Sequence, residues 1–103
     1  MPPVPEKLDE HACALYLEVP RAQLVALQAY FETYEGVGLV RTLDMRRSLV
    51  CILTTPAMLD DCLRLLAYLQ PEIGWQTATR PPDLDAERFL GYFKRNRYAE
   101  TLS

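Results

Sequence analysis

Apolar and polar residues change rhythm several times along this chain, and each change marks an element. Cys13, Leu15, Leu17 and Val19 alternate with Ala12, Ala14, Tyr16 and Glu18. A period of two predicts a strand, and Pro20, which has no N–H for a ladder, ends it. Over residues 21–36 the period lengthens. Leu24, Leu27, Phe31 and Tyr34 fall on one stripe of a helix, with Gly36 placed to take a left-handed cap. Residues 37–44 and 46–55 then read as two strands. The polar link between them is so short that they must be antiparallel neighbours. Leu49 to Leu53 is apolar at every position, the mark of a strand covered on both faces.

Thr55-Pro56 predicts a second helix start, because threonine caps an orphan N–H and proline suits the first turn. Its buried stripe is expected at Met58, Cys62, Leu65 and Leu69, broadened by Leu59, Leu63 and Leu66, with Pro71 as its stop. Asp60 and Asp61 lie near the positive end of the dipole. Residues 73–79 read as a fourth strand, with Ile73, Trp75, Thr77 and Thr79 on one side and Gly74, Gln76 and Ala78 on the other. After Pro81-Pro82, Asp83 can cap a last helix reaching about Tyr98, striped by Ala86, Phe89, Leu90 and Phe93. The first ten residues hold three prolines and four charges without an apolar period, an extended or mobile leader.

Strand, helix, strand, strand, helix, strand is the split βαβ order. The expectation is an α+β, ferredoxin-like βαββαβ antiparallel sheet with two helices on one face, plus a C-terminal helix. Residues 1–11 form the leader, 12–80 the domain and 81–103 the terminal helix. If Leu15, Leu17 and Trp75 face the helices, the outer face shows Ala12, Ala14, Gly74 and Ala78, small enough for another element to approach. The terminal helix or a second copy of the chain would cover it. Tyr16, Phe89, Leu90 and Phe93 are the expected partner interface.

Composition narrows the function. One domain fits 103 residues. A net charge of −3 disfavours a nucleic-acid backbone or an anionic membrane as partner. No apolar run approaches the ~20 residues that span a bilayer. Three cysteines without CxxC spacing, and no secretory signal, make the cytoplasm the expected setting. Those cysteines sit at apolar positions, so His11-x-Cys13 predicts no metal site and no cysteine nucleophile. Gly36-Val37-Gly38 joins helix to strand, the reverse of a dinucleotide loop. Asp60-Asp61, Asp83 and Asp85 read as helix-start carboxylates, and Lys94, Arg95 and Arg97 as a helix-end complement to the dipole. Leu15-Tyr16-Leu17 is similar to one RNA-recognition motif, but the companion strand RRSLVCIL lacks the aromatics that stack bases. No catalytic residue, metal or cofactor is expected.

The stretch from Leu15 to Leu53, with YEGVGLVRTLD at Tyr34 to Asp44, resembles a small bacterial family of uncharacterised short domains, which implies a domain and no activity. The element order is also similar to ACT-type domains, which bind amino acids at dimer interfaces. Those domains carry a glycine after the first strand, where this chain has Glu18-Val19-Pro20-Arg21. The leading expectation is a non-catalytic interaction or regulatory module acting through a homo-oligomer or a protein partner. An ACT-like sensor of an amino acid or other small metabolite is the alternative, and RNA binding or an unrecognised enzyme the third.

Overall fold

The computed structural model describes residues 3–34 and 36–79. The expected terminal helix, with Phe89, Leu90 and Phe93, lies outside the described residues. The elements are β1 (Glu6–Lys7), β2 (Cys13–Glu18), a 3-10 turn (Arg21–Gln23), α1 (Leu24–Thr33), β3 (Leu39–Asp44), β4 (Leu49–Thr54), α2 (Leu59–Ile73) and β5 (Gln76–Thr77).

This is a mixed α/β fold built on an antiparallel sheet. The strand order is β1-β2-β4-β3, and β5 pairs with β2 on the side β1 also uses. The two short strands divide that edge: β1 pairs with Cys13 and Ala14, β5 with Leu17 and Glu18. The leader therefore adds a strand that its lack of apolar period did not reveal. Ladder pairing comes from its backbone, which periodicity does not report.

Both helices cover one face. Leu24, Leu27 and Phe31 of α1 and Cys62, Leu66, Leu69 and Ile73 of α2 pack on Leu15, Leu17, Val19, Val50, Ile52 and Trp75. A second cluster, Ala14, Tyr16, Cys51 and Leu53, lies on the opposite face, with Leu8, Leu43 and Ala78 packed against it. Burial on both faces explains why every residue of β4 is buried, as its unbroken apolar run predicts.

α2 departs from expectation at its end and in its stripe. It passes through Pro71 and stops at Ile73, so the expected fourth strand shrinks to Gln76–Thr77. Pro71 costs the bond to the Ala67 carbonyl, but both residues are exposed and water can replace the lost donor. Gly74, expected on the outer sheet face, is the helix cap instead, with φ 76° and its N–H on Gln70 O at 2.8 Å. Trp75 turns inward, its buried indole N–H donating to Leu66 O at 2.7 Å. The stripe is Cys62, Leu66, Leu69 and Ile73, with Leu65 at its margin and Met58 before the first turn. Thr55 holds that turn, its Oγ1 accepting from Met58 N–H at 3.2 Å. Among the described residues no helix is long and apolar enough to cross a membrane.

Candidate interaction surface

The side chains with chemical potential are mostly engaged in the fold. Cys13, Cys51 and Cys62 are free and buried. Burial pushes the Cys51 thiol up to about 12, with the Glu6 charge adding to the effect. Burial alone pushes Cys62 up to about 12. Neither is a ready thiolate at neutral pH. Tyr16 is buried within its own chain, its hydroxyl 3.5 Å from Glu6 Oε1. Asp61 lies 3.9 Å from Arg64 one turn on, and Asp60 is exposed beside it. Asp44 organises the β3–β4 link: it accepts from Arg46 N–H at 2.9 Å and pairs with Arg47 at 3.3 Å. Among the described residues no three His, Cys, Asp or Glu side chains converge as a metal site.

Three of the exposed large apolar side chains stand at or near the junction of α1 and β3. Tyr34 is 50% exposed, Leu39 46% and Tyr68 74%. Tyr34 follows the last turn of α1 and Leu39 opens β3. Tyr68 reaches Tyr34 from α2, on the side of the helix away from Leu66 and Leu69, whereas Leu39 pairs with Leu53 and so belongs to the sheet face away from the helices. Two grooves flank the loop. One, of about 450 Å³, runs between the helices and is lined by Tyr34, Val37, Asp61, Arg64, Leu65 and Tyr68. The other, of about 480 Å³, runs between α1 and β3, with Gln28, Phe31 and Glu32 on one wall and Gly38 to Arg41 on the other.

Local bonds pin this junction. Thr54 Oγ1 donates to Val37 O at 2.7 Å, tying the loop to β4. Gly38 lies against the core so closely that an added Cβ would sit 2.9 Å from Ile52 Cγ2 and 3.3 Å from both Leu53 O and Phe31 Cε1. No larger residue fits without displacing buried atoms. Elsewhere between the two helices, Tyr30 donates to the Glu72 carboxylate, with contacts of 2.8 and 2.9 Å. That hydrogen bond, helped by the Glu72 charge, raises the Tyr30 pKa.

Sequence periodicity assigned Tyr34 to the buried stripe of α1 and passed over Tyr68 and Leu39. Tyr68 was findable: at 100° per residue it points well away from Leu66, so a large aromatic there has no core to enter. The meeting of Tyr34 with Tyr68 on one groove was not, because it joins separate elements.

Neither a curated protein nor a solved structure matches the chain. Residues 17–73 match the domain of unknown function DUF4911. That span begins within β2 and ends on the last residue of α2, so it holds both helices, the β3–β4 hairpin and the junction with its two grooves. Covering more than half of the 103 residues, the match makes this chain a member of the DUF4911 family.

Proposed function

We propose that this chain is a non-catalytic interaction module that associates with another protein, or with a second copy of itself, through the α1–β3 junction. The observation that carries the reading is the meeting of the exposed Tyr34 and Tyr68 on one groove beside a pinned loop. Tyrosine gives large contact area at low entropic cost and is enriched among residues that dominate binding energy. The two grooves beside it can receive protruding side chains. Three free buried thiols fit a reducing, cytoplasmic setting. We infer a ferredoxin-like plan from the order β5-β2-β4-β3 with both helices on one face, β1 being an addition beside β2.

Photo-cross-linking tests the reading. A benzophenone side chain placed at Tyr34 or Tyr68 should trap one and the same protein in cells. Placed at Val25, which is 76% exposed on α1 but lines neither groove, it should not. An adduct of twice the chain mass identifies a second copy. Silence at positions 34 and 68, or equal trapping from all three, would sink the proposal.

One observation favours a sensor as a second reading. A cleft of about 370 Å³ at the end of β2 brings together Glu18, Arg47, Thr77 and Thr79. A carboxylate and a guanidinium across a small cleft suit the two charges of an amino acid. A shift of several degrees in melting with one amino acid would support it, since a ligand of the native state stabilises by mass action. A flat response across the amino acids would dismiss it.

A further inference from the structure

The geometry points to strand addition at the open edge of β3: the groove between β3 and α1 takes an extended peptide with an apolar residue and a lysine or arginine two positions along. This rests on the reading of the chain as an interaction module and supplies the chemistry of its partner.

Among the described residues β3 is the last strand of the sheet and pairs only with β4. Alternate residues of such a strand turn N–H and C=O groups away from the neighbour, a template for another backbone. The ladder is regular from Leu39 to Thr42, and then its register shifts between Thr42 and Asp44. A bulge of this kind bends the strand, so a docked segment is confined to the straight part. Leu39 and Thr42 are exposed, and Val40 and Arg41 half-buried. Its straight part, Leu-Val-Arg-Thr, holds neither lysine nor proline; Arg41 is its single charge, at a register position on the face opposite Val40, and α1 stands beside it across the groove.

The groove specifies the rest. Val40 shares the helix-side face of the sheet with Ile52 and Leu15, so it and Phe31 give the groove an apolar base. Gly36 and Gly38 line the end of the groove where β3 begins, and neither puts a side chain in the way. Glu32 stands on the α1 wall as an exposed carboxylate. Side chains of an extended peptide alternate, so residues two apart enter the groove together. One fills the space over Phe31 and Val40, and the next meets Glu32 with a positive charge. Backbone pairing supplies affinity and the groove supplies selection, as in other modes of recognition by strand addition.

A peptide library displayed on phage, panned against the full chain, tests the inference. The expected selection is an apolar residue with lysine or arginine two positions away. Synthetic peptides from it should bind at least about tenfold more weakly to Gln28→Trp, which fills the groove from an exposed site. Glu32→Gln should weaken peptides with the basic residue and leave neutral analogues unchanged. Val25→Trp, on the same helix but outside the groove, is the folding control and should bind like the parent. Methylating alternate peptide nitrogens should abolish binding, a result that side-chain docking alone would not give. An empty selection, insensitivity to Gln28→Trp or insensitivity to N-methylation would each overturn strand addition. If cross-links from positions 34 and 68 persist in that case, the interaction module stands and only its mode of binding falls.

Discussion

Cys51 and Cys62 occupy different apolar layers, Cys51 in the cluster beneath the sheet and Cys62 in the core under the helices. Burial raises each thiol from 9.0 to about 12. The folded chain therefore holds these protons after the unfolded chain has begun to lose them. Their contribution is fully present below pH 9.0 and is lost as pH rises towards about 12. Urea unfolding from pH 8 to pH 11 should show stability falling, and Cys51→Ala with Cys62→Ala should flatten that fall while lowering stability at pH 8. Thiol labelling at pH 7 should be slow at both positions until the chain unfolds. Rapid native labelling of either would contradict the assignment. Burial of all three cysteines was legible in the sequence, because each stands in an apolar pattern. The place of Tyr16 was less so. Its position on the outer face follows from strand alternation, but its cover includes Leu8 of the leader, a contact that no local pattern encodes.

At the scale of elements, β4 follows its periodicity throughout and α1 as far as Phe31, while Tyr34 and the end of α2 do not. Proline usually closes a helix, yet α2 adds two residues beyond Pro71 before Gly74 ends it. Gly74 takes φ 76°, a conformation that costs other residues about 1–2 kcal/mol, and the nearest atom to an added Cβ is Pro20 Cγ at 4.0 Å. Gly74→Ala should therefore lower stability by about 1 kcal/mol through backbone strain alone. Denaturant titration would read this as a lower midpoint with an unchanged slope. A neutral result would mean that the helix end does not need the left-handed turn. The early start of the expected fourth strand shares this origin. Ile73 and Trp75 both face inward, which alternation on a strand and the last turn of a capped helix satisfy equally. The side chains alone did not distinguish the two.

For the molecule as a whole, the sheet has an apolar layer on each face, and the leader belongs to the second layer. β1 pairs with Cys13 and Ala14, and Leu8 packs on the cluster that contains Tyr16 and Cys51. Removing residues 1–8 should lower stability by about 1–3 kcal/mol, the scale of one apolar side chain returned to water plus a short ladder. It should also speed labelling of Cys51 more than that of Cys62, since only Cys51 lies on that face. Equal rates for both thiols would show that the leader acts on global stability and does not shield the outer face.

Local patterning determined the helices and long strands of this protein, the pairing of β3 with β4, the two-sided burial of β4 and the burial of its cysteines. Each depends on which side of one element is dry, and the spacing of apolar residues reports that directly. Tertiary structure decided where α2 stops, that the leader becomes a strand, and that Tyr34 and Tyr68 meet on one groove. Those outcomes depend on which separate surfaces come together and on where water can reach a carbonyl that has lost its donor. Such energies arise between residues distant in sequence, and they take definite values only when the chain has closed.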